Sequence, residues 1–299
     1  MQIVAIGIIT RKRPAELARL LEAVAALEFK NLPVPDLSVI VVDNDDSASA
    51  TPICEEAAKK YALKIACLHE PKPGIPQARN RVLDSLPDGC EGLAWIDDDE
   101  TPAPGWLESL LLTHKGTGAD IVLGSVEAIL PDSAPAWVKK GGFFNRRRFI
   151  DRASLTEGAA DGCLMQVNSI RHHNMRFDES LGNAGSADTL FLRWAEKQGL
   201  RMVWSPEALI REHIAPDRCR LGWLVKKHFR SGITLAICDT KLDGFLGGHR
   251  RFWLALSKLA QGILNLPIGF EGMHELTRAL LMLSRGCGML AGLAGVRLR

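Results

Sequence analysis

The chain has 299 residues, of which 46% are hydrophobic and 24% are charged, and its formal net charge is +2. This composition is ordinary for a soluble globular protein, and the length allows one large domain or two smaller ones. Seven cysteines without a CxxC pair argue against a zinc ribbon or a dense disulfide framework and favour a reducing cytosol.

The first residues, MQIVAIGIITRKRP, predict a core strand. Their apolar run is too short to span a bilayer, and the positive charges follow it instead of preceding it, which argues against a secretory signal. No stretch of about 18 uncharged apolar residues occurs further along the chain. Even LLMLSRGCGMLAGLAGV near the end contains Arg285, so we expect no transmembrane helix.

Apolar, β-rich runs alternate with helical patterns up to about residue 130. Short runs such as IVAIGIIT, LSVIVVD and GLAWIDDD are separated by amphipathic segments such as PAELARLLEAVAAL. This alternation is typical of βαβ units. We predict an α/β fold with a mostly parallel central sheet and flanking helices.

The regular pattern weakens after Pro131. The segment GSADTLFLRWAEKQG predicts a helix that Ser186 caps and Gly199 ends. From about residue 219 the chain is predicted to be helical. We therefore divide the sequence into residues 1–130, 131–218 and 219–299.

Charge is distributed unevenly between these regions. From Arg218 onward the chain has 13 Lys and Arg against 4 Asp and Glu, whereas the preceding residues have 24 against 31. An acidic body with a basic tail suggests an anionic partner for the tail.

Polar residues follow several of the predicted strands. Thr10 ends the first strand and Arg13 follows it, Asp43 ends the second, and the run Asp97–Asp99 ends the fourth. Ligands of open α/β sheets bind beyond the carboxyl ends of the strands. The sequence therefore predicts a binding site at this edge.

Three adjacent carboxylates repel one another, and a divalent cation relieves that repulsion. Because side chains alternate along an extended segment, Asp97 and Asp99 are expected to point to one side and Asp98 to the other. Mg²⁺ or Mn²⁺ is commonly held by one or two carboxylates together with substrate phosphates. The triplet thus suggests a metal-bound diphosphate, although a solvated acidic turn is the simpler alternative.

Two enzyme classes fit DDDET at a strand end. It resembles the nucleophile motif of haloacid-dehalogenase-type phosphatases, in which Asp97 would attack a phosphoryl group. That motif normally follows the first strand of its domain, whereas three βα units precede it here, and no convincing downstream lysine and paired-aspartate motifs occur. In the second class, a metal neutralises a nucleotide diphosphate as it leaves a sugar.

An ordered series of motifs resembles family 2 glycosyltransferases of the GT-A fold. It comprises IITRKRP, VVDND, KPGIPQARN, LAWIDDDETP and the segment from GSADTLFLRW to KKHFRSG, and it spans about residues 3–235. Within the family the chain is similar to bacterial exopolysaccharide glucosyltransferases of the succinoglycan type. The resemblance implies that residues 1–130 bind the nucleotide sugar and that residues 131–218 supply the acceptor side and the base.

The resemblance also implies roles for individual residues. A nucleotide-sugar donor, expected to be UDP-linked, would contact Thr10, Arg13, Asp43, Arg79, Asp97 and Asp98. Mg²⁺ or Mn²⁺ would be held by Asp97 and Asp99, with His213 as a further candidate ligand. Arginine offers a fixed fork of donors to phosphate oxygens, whereas carboxylates suit the cation.

The catalytic base is expected at Asp188. An inverting transfer is a single displacement, so a base must take the proton of the acceptor hydroxyl. In the family an acidic pair, usually Glu-Asp, opens a helix at this position, whereas this chain has Ala187-Asp188. The missing Glu leaves open a nucleotide-sugar-binding protein without turnover, and the phosphohydrolase using Asp97 is the other alternative.

The basic tail predicts a peripheral membrane contact. HRRFWLALSKLAQGIL interleaves basic and apolar residues, as in helices that lie in the interface of an anionic membrane. The acceptor would be a polysaccharide or a lipid-linked oligosaccharide at the cytoplasmic face of the cell membrane. A packed helical subdomain or a dimer interface is the competing interpretation, and nucleic acid is disfavoured because no recognition module accompanies the charge.

Overall fold

The structure of the protein, a computed structural model, describes residues 1–181 and 187–297. Ser186, the predicted helix cap, lies outside the described residues. In this part of the chain, β-strands and α-helices alternate up to residue 129, except for two consecutive strands between residues 92 and 102, and are less regular afterwards.

The elements have the following bounds. The strands are β1 (Ile3–Thr10), β2 (Asp36–Asp43), β3 (Ile65–His69), β4 (Gly92–Trp95), β5 (Glu100–Pro102), β6 (Ile121–Ile129), β7 (Ser154–Leu155), β8 (Cys163–Gln166) and β9 (Met202–His213). The helices are α1 (Pro14–Ala25), α2 (Thr51–Tyr61), α3 (Ile75–Asp84), α4 (Trp106–Thr117), α5 (Ala136–Gly141), α6 (Val167–His172), α7 (Ala187–Lys197), α8 (Leu221–Asn265) and α9 (Met273–Leu293).

The strands of the described residues form one mixed sheet in the order β3-β2-β1-β4-β8-β6-β9-β5, and β7 pairs with β9. Strands β1, β2, β3 and β4 pair in parallel. Strand β8 is antiparallel to both β4 and β6, and β9 is antiparallel to β5 and β7. The predicted α/β fold is confirmed, and antiparallel neighbours extend the parallel half.

The parallel strands consist of apolar residues because both faces of the sheet are covered. Val4, Ile6 and Ile8 of β1 are fully buried, as is Trp95 of β4. Helix α1 presents Leu17, Leu20, Leu21 and Val24 to this core, which is the spacing of one helix face. Each such side chain contributes about 1.5–3 kcal/mol on burial, so the core holds the strand ends in a fixed arrangement.

The chain divides into two compact units. The first comprises Met1–Ala128, Arg146–Ser180 and Ala187–His213, and it contains the sheet. The second contains Ile129–Asn145, Leu181 and the chain from Ile214 onward. By sequence, the first unit has 22 basic and 29 acidic residues and the second, counted to Arg299 and with residues 182–186 included, has 15 and 6.

The second unit is mainly helical, and its part from about residue 219 onward forms the helices that the sequence predicted. Helix α8 is broken at Gly244, whose φ of 57° and ψ of −136° are not helical. Helix α9 packs closely against α8: a Cβ atom at Gly232 would lie 2.3 Å from the carbonyl oxygen of Arg285, and one at Gly288 would lie 2.1 Å from that of Phe229. Only glycine permits this backbone approach. None of the helices in the described residues has the length and apolarity needed to cross a membrane.

Candidate active site

The register of the parallel strands brings polar residues to one edge of the sheet. Thr10 at the end of β1 lies opposite Asp43 at the end of β2, and Gly7 lies opposite Trp95 at the end of β4. The acidic run Asp97–Asp99 begins one residue after the end of β4, following Ile96. The predicted strand-end residues are therefore neighbours in the structure.

Asp98 joins the first strand to the acidic run. Its carboxylate accepts a hydrogen bond from the Thr10 hydroxyl at 2.8 Å and one from Nη1 of Arg13 at 2.7 Å. Nη1 of Arg13 also lies 3.1 Å from Oδ2 of Asp99. Desolvation raises the pKa of Asp98, while Arg13 and Thr10 partly oppose this. Four of the predicted site residues thus form one network.

Asp43 organises the loop after β2. Its two carboxylate oxygens accept hydrogen bonds from the backbone N–H groups of Asp45, at 3.1 Å, and Ala50, at 2.6 Å. The next residue, Asn44, donates to the carbonyl oxygens of Glu70 and Lys72, both at 2.8 Å. This segment therefore fixes the loop that leads into α3.

Arg79 of α3 lies between two carboxylates. Its Nη2 is 3.0 Å from Oδ1 of Asp97 and 3.0 Å from Oδ2 of Asp188. The guanidinium is packed against the rings of Trp95 and Phe177, with Cζ at 4.9 and 5.6 Å from their centroids. The side chain is almost completely buried, so its charge requires an acidic partner, and two lie within reach.

Asp188 lies in the first turn of α7, after Ala187, which is buried. Desolvation raises the pKa of the Asp188 carboxyl, Arg79 opposes this, and repulsion from Asp161 adds to it. A carboxylate with a raised pKa is a better proton acceptor than an ordinary one. Asp188 is therefore suited to act as a base.

Asp161 and Arg146 complete the site and were not predicted. Nη2 of Arg146 lies 2.8 Å from Oδ2 of Asp161 and 3.0 Å from Oε2 of Glu212. Glu100 is buried beside them and accepts a hydrogen bond from the backbone N–H of Asp97 at 2.9 Å. Desolvation, followed by repulsion from Asp161 and Asp97, raises the pKa of Glu100.

His213 lies at the end of β9, next to the acidic run. Its backbone N–H donates to the carbonyl oxygen of Asp99 at 2.9 Å, and its Nε2 lies 3.0 Å from the Thr101 hydroxyl. Desolvation lowers the pKa of the imidazole, which favours the neutral form that binds metals. His213 as a metal ligand stays a prediction.

A comparison with protein families decides what kind of protein carries this arrangement. The model of glycosyl transferase family 2 matches residues 5–173. The chain belongs to this family.

Similar proteins agree with the assignment. The chain is 36% identical to the Succinoglycan biosynthesis protein ExoM of Rhizobium meliloti (strain 1021), over 98% of this chain and 93% of that protein. It is 28% identical to Glycosyltransferase AglE of Haloferax volcanii, over 40% of this chain and 39% of that protein.

A solved structure shows the same fold. The crystal structure of S. aureus TarS 1-349 in complex with UDP has a TM-score of 0.55 and 14% identity, covering 99% of this chain and 93% of that one. This family 2 glycosyltransferase therefore has the GT-A fold, and the glycosyltransferase is favoured over the phosphohydrolase alternative.

The donor atoms of this glycosyltransferase fit a divalent cation. Desolvation raises the pKa of Asp97 to about 7, and repulsion from Asp161, Asp188 and Asp99 adds to the effect while Arg79 opposes it. This edge of the sheet thus has more carboxylates than guanidinium groups, and a bound cation would relieve the repulsion among the carboxylates.

The described residues do not form a complete protein cage for such an ion. Within residues 1–181 and 187–297, no three His, Cys, Asp or Glu side chains are arranged to hold a metal by themselves. Mg²⁺ and Mn²⁺ commonly take one or two carboxylates and complete their shell with substrate phosphates and water. Asp97 and Asp99 are the residues that would hold it.

Proposed function

We propose that the protein is an inverting, metal-dependent glycosyltransferase that moves a sugar from a UDP-sugar to a polysaccharide or lipid-linked oligosaccharide acceptor in exopolysaccharide biosynthesis. The full-length similarity to a succinoglycan biosynthesis protein supports the pathway class. The UDP complex of a protein with the same fold supports the nucleotide.

One observation carries the proposed mechanism. A single guanidinium, that of Arg79, lies 3.0 Å from Asp97 and 3.0 Å from Asp188. Asp97 belongs to the acidic run at the donor edge of the sheet, and Asp188 is the proposed base. Arg79 therefore sets the distance between the leaving-group side and the acceptor side of the reaction.

The chemical step follows from these positions. Asp188 takes the proton from the acceptor hydroxyl, the acceptor oxygen forms a bond to the anomeric carbon, and the bond from that carbon to the diphosphate breaks. The electron pair of the broken bond goes to the departing UDP. When bound, Mg²⁺ or Mn²⁺ supplies positive charge to the diphosphate oxygens. Arg13, which lies beside Asp98 and Asp99, would add a second positive charge.

The first experiment is a calorimetric titration of UDP with and without Mn²⁺. Mn²⁺ should tighten UDP binding in the wild-type protein, and the double variant Asp97→Ala and Asp99→Ala should lose that gain. Asp151→Ala is the matched control, because Asp151 is an exposed acid paired only with its neighbour Arg152 among the interactions of the described residues. Unchanged Mn²⁺-dependent binding in the double variant would refute the metal assignment.

The second experiment tests the base with a true acceptor. Asp188→Asn should abolish transfer while UDP and Mn²⁺ still bind. Donor hydrolysis alone is not decisive, because water needs less assistance than a sugar hydroxyl. If the wild-type protein binds UDP with Mn²⁺ but transfers to no acceptor of a broad panel, the second candidate applies: a nucleotide-sugar-binding protein without turnover, which the replacement of Glu by Ala187 favours.

We further propose that the enzyme works in the cytoplasm at the inner face of the cell membrane, where a lipid-linked acceptor presents its glycan. The excess of basic residues in the second unit supports this location, because the cytoplasmic leaflet is anionic.

A further inference from the structure

Helix α8 after its break at Gly244 exposes an unusual amount of apolar surface. Eleven of the seventeen exposed large hydrophobic side chains in the described residues lie between Phe245 and Met273, and eight of these eleven belong to α8. Phe245 is 85% exposed, Leu246 is 77% exposed and Leu264 is 75% exposed. Contiguous exposed apolar patches mark interaction surfaces.

Most of the exposed apolar side chains of α8 lie on one side of the helix. Gly247, Ala255 and Gly262 are buried, and a Cβ atom at Gly262 would lie 2.6 Å from Cγ of Leu283 in α9. At about 100° per residue, the opposite side of the helix carries the exposed residues. We call these residues the docking face: Phe245, Leu246, Trp253, Leu256, Ile263 and Leu264.

The stretch of chain that carries the docking face has basic but no acidic residues. No Asp or Glu occurs from Gly244 to Phe270, whereas His249, Arg250, Arg251 and Lys258 do. Buried Arg251 donates to Asp239 at 2.7 Å, and Arg250 lies 3.0 Å from Asp243, so both arginine charges are partly balanced by acids that precede Gly244. The second unit as a whole has 15 basic and 6 acidic residues by sequence, and it therefore attracts an anionic surface.

Aromatic residues form a ladder along the docking face. The rings of Phe245 and His249 stack with centroids 6.3 Å apart, and those of His249 and Trp253 meet edge to face at 6.2 Å. The indole N–H of Trp253 donates to Nε2 of His249 at 3.1 Å. Amphipathic rings of this kind are favoured where apolar and wet regions meet, as at the level of lipid headgroups.

We infer that the docking face inserts into the headgroup region of an anionic phospholipid bilayer. The helix lies in the plane of the surface, its apolar side chains are buried among the acyl-chain ends, and the basic groups contact the phosphates. This mode of membrane binding involves more than electrostatic attraction, because the apolar side chains of the docking face enter the bilayer. The inferred insertion refines the proposed membrane location and rests on it in that respect. It is supported by the exposed apolar side chains and by the basic charge of the second unit, and it does not depend on catalytic activity.

The test is sedimentation of the full chain with vesicles of phosphatidylcholine alone and of phosphatidylcholine mixed with phosphatidylglycerol in equal amounts. The wild-type protein should bind the mixed vesicles, and raising the salt concentration should weaken binding without abolishing it. The variant Phe245→Gln, Leu246→Gln, Ile263→Gln and Leu264→Gln should bind at least about tenfold more weakly, because interfacial binding scales with buried apolar area.

A matched control removes exposed apolar side chains elsewhere. Val34, 71% exposed, and Ile150, 81% exposed, lie in the first unit, and Val34→Gln with Ile150→Gln should leave vesicle binding unchanged. Equal loss of binding in the control and the quadruple variant would overturn the inference. So would wild-type binding that high salt abolishes completely, because it would show attraction without insertion.

Two further measurements keep the test decisive. Brominated lipids should quench the wild-type fluorescence, and Trp253→Phe should remove most of that quenching. Analytical ultracentrifugation without lipid should show the same mass for the wild-type protein and the quadruple variant; a wild-type dimer that the variant dissociates would instead assign the face to a second copy of the chain. Since vesicle binding needs no donor, its failure and a failure of sugar transfer are distinguishable.

Discussion

Arg79 has a different environment from the one expected. The resemblance placed its guanidinium toward a diphosphate, whereas the structure places it under two aromatic rings and between Asp97 and Asp188. A buried guanidinium is stable only when acidic partners balance its charge. Arg79 therefore positions the two carboxylates, whatever further contact it makes with a bound donor.

Two substitutions of Arg79 should distinguish the effect of its positive charge from the effect of its planar guanidinium shape. Arg79→Lys keeps a positive charge but loses the planar fork that reaches both acids, so we expect the transfer rate to fall by about tenfold or more. Arg79→Met leaves both acids without their partner and should cost about 3–5 kcal/mol of unfolding free energy. Steady-state kinetics and urea unfolding measure the two effects.

The control for Arg79 is Arg176→Met at the exposed pair with Asp84. Surface ion pairs contribute about 0–1 kcal/mol, so this variant should unfold almost like the wild-type protein. Full transfer activity in Arg79→Lys would show that a single positive charge is sufficient there.

Asp161 should tune the base through its negative charge. Desolvation raises the pKa of Asp188, and Asp161 raises it further. In Asp161→Asn this repulsion is absent, so the pKa of Asp188 should fall and its ionised form should persist to lower pH. The acid limb of the pH profile of kcat/KM should therefore move to lower pH. The exposed Asp151→Asn should not move it, and a shift to higher pH in Asp161→Asn would contradict the assignment.

At the level of elements, Asn44 links β2 to α3. Its side-chain amide donates to the carbonyl oxygens of Glu70 and Lys72, and its Oδ1 accepts from the backbone N–H of Gly74 at 2.8 Å. Gly74 precedes α3, the helix that carries Arg79. The orientation of Arg79 therefore depends on this amide.

Asn44→Ala should destabilise the protein by about 1–3 kcal/mol, because backbone groups at a largely buried position lose their partner. The transfer rate should fall as well, since the start of α3 is no longer fixed. Asn44→Asp keeps the acceptor for the Gly74 N–H but loses both hydrogen bonds that the amide donates. Its free energy of unfolding in urea should lie between those of the wild-type protein and Asn44→Ala. An unfolding free energy of Asn44→Ala equal to that of the wild-type protein would refute the role of the loop.

The same elements show what the sequence could predict. Thr10 and Asp43 end buried parallel strands and Asp97–Asp99 follow another, so the apolar pattern of these strands was enough to predict that the residues lie at one edge of the sheet. Asp161 was missed because it precedes β8, which is antiparallel to β4: Cys163 pairs with Trp95, and the start of β8 therefore lies at the edge where β4 ends. The rule that ligands bind beyond the carboxyl ends of the strands does not identify a residue that precedes an antiparallel strand.

Arg146 and Glu100 were missed for related reasons. Arg146 is the first of three adjacent arginines in FNRRRF, and nothing in that run distinguishes the one that turns inward. Glu100 begins β5, and its partner in the antiparallel register is Glu212 of β9. Pairing between segments so far apart in the chain depends on tertiary packing, which periodicity does not encode.

At the level of the whole molecule, stability depends on how the acids of the site are charged. Asp97 has its pKa raised to about 7 by desolvation and neighbouring acids, whereas an Asp in an unfolded chain ionises near pH 3.9. Between these two values the folded protein binds more protons than the unfolded one. The contribution of Asp97 to stability is therefore fully present below about pH 4 and is lost as the pH rises toward 7.

Asp97→Asn should consequently be more stable than the wild-type protein at pH 7.5, and the difference should vanish near pH 4. The Asp97 side chain is 36% exposed, so solvent screens its interactions with the neighbouring charges. We therefore expect the free energy of unfolding to rise by about 1 kcal/mol, which is less than the full shift of the Asp97 pKa would imply. Urea unfolding in the presence of a chelator measures it. Adding Mn²⁺ should stabilise the wild-type protein at pH 7.5 but not the variant, because a bound cation compensates the negative charge of the Asp97 carboxylate as a proton does at lower pH. A wild-type protein more stable than Asp97→Asn at pH 7.5 in chelator would show that the ion pair with Arg79 outweighs the repulsion among the acids.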